Sequence, residues 1–277
     1  MSTLITRGIT GFIFVVVMIA GVVSGPYPFF ALFTLIAALC LWEFFTIVLN
    51  PEEPAYLLRR ILGLVYGIIP VAGGFCLKTG LIPLHDWPIM TYTLVLLFFV
   101  SILVEIFAAA KDPFQNIGYY GVGLLYLGIP FHLVSLAAYP SGEYSWQIVL
   151  GMLILVWAND SFAYLVGSWI GKTPLFPRIS PKKTWEGTIG GGVITLAVGA
   201  LLAQWWTVLS LPDWLALAAI AVVFGTLGDL AESMLKRSRQ IKDSGNLLPG
   251  HGGMLDRFDA FIFMLPFAVT YISFAVR

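Results

Sequence analysis

Charge is what this sequence has least of. Only 11% of its 277 residues are Asp, Glu, Lys or Arg, against about 25% in soluble domains. With 59% hydrophobic residues and a mean hydropathy of +0.91, that shortage excludes a soluble globular protein. The few charges balance to a net of zero, so no overall field points to a partner. Cysteine is scarce as well. Cys40 and Cys76 are the whole complement, both in apolar stretches without metal-ligand or redox spacing, which reads as two small buried hydrophobes and excludes a Cys/His zinc centre. The chain shows no convincing internal repeat and no low-complexity tract. No convincing cleavage site follows the first apolar run, so residues 1–25 read as a retained helix rather than a removed signal peptide.

What is present is a series of long apolar segments. A helix needs about 20 mostly apolar residues to cross a bilayer, and nine candidates meet that measure: 8–25, 27–49, 61–82, 88–110, 117–139, 146–170, 188–209, 214–235 and 259–276. The expected fold is therefore an all-α, polytopic integral membrane protein of about nine transmembrane helices. Five spans fall in residues 1–145 and four in residues 146–277. Lys and Arg counts in alternate loops set the orientation. An N-terminus inside puts 13 of the 15 basic residues on the cytoplasmic side, leaving Lys78 and Arg277 outside. Loops 171–187 and 236–258 then face the cytoplasm together, and they hold nine of the 13.

The second of these loops, with the helix ends that flank it, is too polar for its setting. Residues 229–259 carry two acidic pairs spaced i,i+3, Asp229/Glu232 and Asp256/Asp259, together with a run of cations and a His251-Gly252-Gly253 turn. Residues three apart share a helix face. Carboxylates so arranged suit Mg²⁺, which takes one or two carboxylates and completes its shell with phosphates and water. Asp256 and Asp259 could instead simply favour a helix N-terminus, but that reading leaves the acidic pair at the end of the preceding span unexplained. Asp229 lies roughly 10 Å deep and Asp160 roughly 15 Å deep at about 1.5 Å per residue. Ionisable groups at such depth point to a wet cavity. Glu232 can pair with Lys236 one turn on.

Lys182, Lys183, Lys236, Arg237 and Lys242 read as phosphate clamps, with lipid-head contacts as the plainer alternative. The patch is too short and too tied to the membrane to suggest nucleic acid. Glu43, Glu105 and His132, each inside other spans, read as structural. Gly167 to Thr173 resembles a phosphate-binding P-loop but has the wrong glycine spacing and follows an apolar helix rather than a strand. Gly187 and Gly191 read as sites of close helix packing.

Ser233-Met-Leu-Lys236-Arg237, Lys242-Asp243-Ser-Gly245 and Pro249-Gly-His251-Gly252-Gly253-Met-Leu-Asp256-Arg257-Phe-Asp259 together resemble the signature of the phosphatidate cytidylyltransferase (CDP-diacylglycerol synthase) family over 27 residues. A second block, Asn159-Asp160 through Ala163-Tyr164 and Gly167 to Ser180-Pro181-Lys182-Lys183-Thr184-Trp-Glu186-Gly187, is similar to that family's upstream motif. The resemblance implies that CTP and phosphatidic acid give CDP-diacylglycerol and pyrophosphate in phospholipid biosynthesis. It implies a requirement for Mg²⁺, with a second monovalent or divalent cation as an accompanying option, and a homodimer in the bacterial inner membrane with its active site facing the cytoplasm.

In these terms Asp229, Asp256, Lys236, Lys242 and His251 are the catalytic candidates, and Asp229, Asp256 and Asp259 the metal candidates. Asn159, Asp160, Ser180, Lys182, Lys183, Glu186, Arg237 and Arg257 are candidates for substrate binding. Lys183 and Lys236 are expected to converge on the same phosphates. Two other readings stay open on the residues alone: a CTP-dependent polyprenol kinase, which would need a base to deprotonate a lipid alcohol, and a transporter, which would place its site at the midplane.

Overall fold

The computed structural model describes residues 3–275 except Leu84, Asp86, Pro249 and His251. Nine long helices run through the described residues: α1 (Thr3–Val23), α2 (Pro26–Val48), α3 (Tyr56–Lys78), α4 (Trp87–Ala108), α5 (Pro113–Ala137), α6 (Trp146–Ile170), α7 (Trp185–Trp205), α8 (Leu211–Ser238) and α9 (Leu255–Ala275). Eight of them are long and apolar enough to cross a membrane, and α1 carries a shorter apolar stretch, Gly8–Val23. The boundaries follow local chemistry. Gly25, at φ 115°, turns the chain between α1 and α2, and Pro26 opens α2, where a missing N–H costs nothing. Ser210 and Asp213 form a reciprocal capping box at the start of α8, satisfying two otherwise orphaned donors.

Two features depart from a plain reading of apolar spans. A five-residue π-helical segment interrupts α5 at Leu124–Gly128, and another interrupts α8 at Ala221–Gly225. The chain is also not wholly helical. The segment expected to be a cytoplasmic loop from 171 folds into an antiparallel hairpin, β1 (Pro174–Phe176) with β2 (Ser180–Thr184), paired Pro174 to Thr184 and Phe176 to Ser180. It leads directly into α7, which begins earlier than hydropathy indicates because Thr184 caps it by accepting from the Gly187 N–H at 3.2 Å.

The buried core lies where α2, α5, α6 and α9 meet, with Phe44, Phe45, Phe131, Leu153, Phe258 and Phe261 all buried. The outer faces stay apolar: Leu96, Phe99 and Phe107 on α4 are exposed, as on a helix that faces lipid. Two buried ionisable groups of the N-terminal half are tied internally. Arg59 grips Glu105 through two bonds of 2.7 and 2.8 Å and also reaches Glu53 at 3.0 Å. His132 Nδ1 lies 2.9 Å from the Pro70 carbonyl oxygen. Both observations agree with a structural role for Glu105 and His132.

Candidate functional site

Small residues bring the site together. A Cβ placed on Gly187 would lie 2.6 Å from the Ala163 carbonyl oxygen, and one on Gly191 would lie 2.6 Å from the Ala163 nitrogen. Glycine at both positions therefore lets the backbones of α6 and α7 touch. That crossing carries the β-hairpin over the end of α6. Glu186 fastens the hairpin's other side, accepting from the Lys172 and Thr173 N–H groups at 3.1 Å and from the Thr173 hydroxyl at 2.8 Å. Its carboxylate holds the loop where the sequence suggested substrate binding.

Between α6, the hairpin, α7 and α8 lies a cavity of about 480 Å³. Asn159, Asp160, Lys182, Lys183 and Asp229 line it, with Tyr164, Thr184, Thr188 and Thr226. Residues from both motif blocks thus share one chamber, although about 70 positions separate Asp160 from Asp229 in the chain. Thr226 follows the π-helical segment of α8 directly, and Asp229 lies within the next turn. Such segments often occur at functional sites. Lys183 Nζ sits 2.8 Å from Asp229 Oδ2. Asn159 is buried, and its Oδ1 has no hydrogen-bond partner among the described residues. A buried acceptor left unpaired in a cavity wall is costly unless a ligand satisfies it.

A second cavity of about 340 Å³ lies on the far side of Asp160. It is lined by Thr10, Phe14 and Val15 of α1, by Trp157 of α6, and by Leu248, Asp256 and Arg257. Asp160 belongs to both walls. Asp160, Asp229 and Asp259 also interact electrostatically across this region. Asp259 is buried, with Oδ1 accepting from the Ala260 N–H at 2.7 Å.

Asp256 is held differently. Oδ1 lies 2.6 Å from Lys236 Nζ, while Oδ2 accepts from the Ser244 N–H at 2.9 Å and the Gly253 N–H at 2.8 Å, with the Ser244 hydroxyl oxygen 3.0 Å away. Lys236 is buried and also pairs with Glu232. Lys236 and Lys183 therefore sit in different settings, one inside an ion network and the other on the cavity wall. Gly252 must be glycine here: its φ is +81°, and a Cβ would lie 2.6 Å from Asp256 Oδ2.

The remaining candidates are placed as follows. Ser180 opens β2, and Lys242 is exposed on the loop after α8. Arg237 donates to the Ile241 carbonyl at 2.9 Å and so shapes that loop. His251 lies outside the described residues. Sequence reading took Glu43 as structural and gave Ser244 no role, and it did not bring either to the site. Glu43 of α2 accepts hydrogen bonds from the loop before α9, and Ser244 joins Glu43 to Asp256. The signal for Glu43 was available, since it is the sole charged residue between Pro26 and Val48.

No group of three or more His, Cys, Asp and Glu side chains able to hold a metal ion occurs among the described residues. That excludes a closed cage built of such side chains there. It leaves the open mode in which one or two carboxylates share a cation with substrate phosphates. Asp229 and Asp160 on one cavity wall suit that mode, and the Lys183 ammonium already occupies a cation's place beside Asp229. Asp256, whose two oxygens already face the Lys236 ammonium and the Ser244 and Gly253 N–H groups, suits it less well.

The chain matches the model of the cytidylyltransferase family over residues 5–275. It is 34% identical over 266 residues to a phosphatidate cytidylyltransferase of Bacillus subtilis (strain 168), covering 94% of each chain. It is 35% identical over 208 residues to one from Staphylococcus aureus (strain COL), covering 73% of this chain and 77% of the relative. Over 162 residues it is 40% identical to one from Staphylococcus saprophyticus, covering 58% of both chains.

Proposed function

This chain belongs to the cytidylyltransferase family, and from that premise we propose that it transfers the CMP group of CTP to phosphatidic acid, giving CDP-diacylglycerol and pyrophosphate. The observation that carries this reading is the cavity where Asp160, Asp229, Lys182 and Lys183 meet at one end of the helix bundle. A triphosphate needs concentrated positive charge and a metal-binding carboxylate, and an amphiphile needs an apolar approach. The second cavity, apolar along Phe14, Val15 and Trp157 and polar at Arg257, suits the amphiphile. Asp160 stands between the two.

The chemistry asks little of a general base. A phosphate monoester has a second pKa of about 6, so the lipid phosphate is largely a dianion at neutral pH. One of its oxygens attacks the α-phosphorus of CTP. A new phosphorus–oxygen bond forms, and the bond to the bridging oxygen breaks. Pyrophosphate leaves with that electron pair. The protein's task is to align the two phosphates and neutralise charge.

Lys182 and Lys183 are the cavity cations for this. Phosphate oxygens compete for the Lys183 ammonium, and as it turns toward them Asp229 is released from its ion pair. Asn159 offers a buried acceptor for a donor on the substrate or its water. Mg²⁺ held by Asp229 and Asp160 would neutralise phosphate charge and orient the departing pyrophosphate. The Lys236–Asp256 network maintains the loop that closes the site's rim. A homodimer in a bacterial inner membrane, with both cavities opening to the cytoplasm, completes the reading.

The test is incorporation of cytidine-labelled CTP into lipid by the purified protein, given phosphatidic acid with and without Mg²⁺. Wild-type protein should form CDP-lipid only with the metal. Asp229→Asn should lose activity by several orders of magnitude while eluting from a sizing column like wild type. Metal-independent synthesis, or near-normal turnover by Asp229→Asn at saturating Mg²⁺, would contradict the assignment.

A further inference from the structure

A single carboxylate from the other half of the molecule holds the reacting half's rim. Glu43 lies five residues before the end of α2, roughly 7–8 Å in from that end at about 1.5 Å per residue. Its Oε1 accepts from the Met254 N–H at 2.8 Å. Its Oε2 accepts from the Leu255 N–H at 2.9 Å and from the Ser244 hydroxyl at 2.8 Å. The first N–H groups of a helix have no intrahelical partner, and α9 begins at Leu255. Glu43 therefore caps α9 from another helix, in place of the local Ser, Thr, Asp or Asn side chain that usually does so. The helix dipole favours its negative charge there.

The backbone comes close to this carboxylate at two glycines. A Cβ on Gly245 would lie 2.8 Å from Glu43 Oε1, and one on Gly253 would collide with Glu43 Oε2 and the Ser244 hydroxyl. The Ser244 hydroxyl lies between Glu43 and Asp256, 2.8 Å from one carboxylate and 3.0 Å from the other. It has one proton to donate. Glu43 thus fixes at once the helix that bears Asp256 and Asp259 and the loop that bears Lys242.

We propose that Glu43 is a positioning residue for the reaction: through Ser244 and the first turn of α9 it sets the placement of Asp256 and the adjoining rim of the site. The proposal rests on the functional reading above. It gives α2, which carries none of the motif residues, a part in turnover exerted through the loop it holds.

The experiment compares purified full-length wild type with Glu43→Ala, Glu43→Gln, Glu43→Asp and Ser244→Ala. Activity is scored per folded molecule, and amide hydrogen exchange is followed over residues 244–255. Loss of charge-assisted hydrogen bonds should lower kcat by roughly tenfold to a hundredfold in Glu43→Ala and Glu43→Gln, with the KM for CTP little changed. Glu43→Asp, which keeps the charge, should recover part of that loss. Exchange at 244–255 should quicken in Glu43→Ala, and the Glu43→Ala/Ser244→Ala double variant should be less impaired than additivity requires.

Wild-type kcat in folded Glu43→Gln would overturn the proposal. So would a loss that merely tracks the folded fraction, or unchanged exchange at 244–255. If Glu43→Ala does not fold, Glu43→Gln and Glu43→Asp decide the matter. An inactive wild type would overturn the functional reading instead, and exchange would still decide whether Glu43 holds the loop.

Discussion

Lys183 and Lys236 look alike in the sequence and stand in different places. Both are basic residues beside acidic ones in glycine-rich polar stretches. Lys183 is partly exposed on the cavity wall, whereas Lys236 is buried against Glu232 and Asp256. The expectation that both clamp one set of phosphates therefore becomes two separable predictions. Lys183→Ala should leave thermal stability in detergent nearly unchanged and lower kcat/KM for CTP by about tenfold to a hundredfold, the worth of a charge-assisted contact of about 1.5–3 kcal/mol. Lys236→Ala should destabilise, because removing one member of a buried ion network leaves charge uncompensated at about 3–5 kcal/mol. Thermal unfolding measured beside steady-state kinetics separates the two. Equal unfolding midpoints with equal kinetic losses would show that both lysines act on substrate.

Some of the residues that line the cavity were legible at this scale, and how each is held was not. Asp160 and Asp229 line one cavity, as their depth suggested, with Lys182 and Lys183 beside them. The burial of Lys236 and the saturation of Asp256 depend on where the Ser244 and Gly253 donors fall, which no spacing encodes. Glu43 meets Ser244 across 201 positions, beyond the reach of any local pattern.

At the scale of elements, hydropathy carried the helices well, since each apolar run became one helix and differed mainly at its ends. It could not register the β-hairpin. Pro174, Pro177 and Pro181 make that stretch look like loop, and pairing depends on the α6–α7 contact that brings its two arms round. The π-helical segment before Asp229 likewise left no mark in the hydropathy pattern.

The glycine reading did hold at the α6–α7 crossing, and it yields a prediction. Gly191→Val would force side-chain atoms into the Ala163 backbone, where even a Cβ would sit 2.6 Å from nitrogen. The helices must part, so the hairpin moves from the cavity. Overpacking of this kind costs about 1–3 kcal/mol. The expected outcome is a protein that still inserts in the membrane but loses CDP-lipid synthesis, with faster protease cleavage within 171–184. Wild-type activity in a correctly inserted Gly191→Val protein would show that this crossing does not build the site.

For the whole molecule, the internal polar contacts sort the loops into the same two groups that the Lys and Arg count separates, and which group faces the cytoplasm is a prediction. Groups assigned to the cytoplasmic side find one another: Arg59 with Glu105, Arg239 with the Val48 carbonyl oxygen, and Glu43 with Ser244. Groups assigned to the opposite side do likewise. Tyr271 donates to Asp213 at 2.9 Å, and Tyr144 donates to the Val22 carbonyl at 2.5 Å. Single cysteines at exposed Arg178 and Glu143, in a chain without Cys40 and Cys76, test the orientation. An impermeant thiol reagent applied to intact cells should label position 143 and spare position 178. Labelling of 178 from outside would invert the topology and set the cavity on the wrong side for CTP.

The central claim concerns which phosphorus is attacked, and position-specific labelling of CTP reads it directly. With phosphatidic acid and Mg²⁺, label at the α-phosphorus should appear in the lipid product, and label at the γ-phosphorus should appear in pyrophosphate. Label from the γ-position in the lipid, with CDP released, would contradict the account and make the protein a lipid kinase.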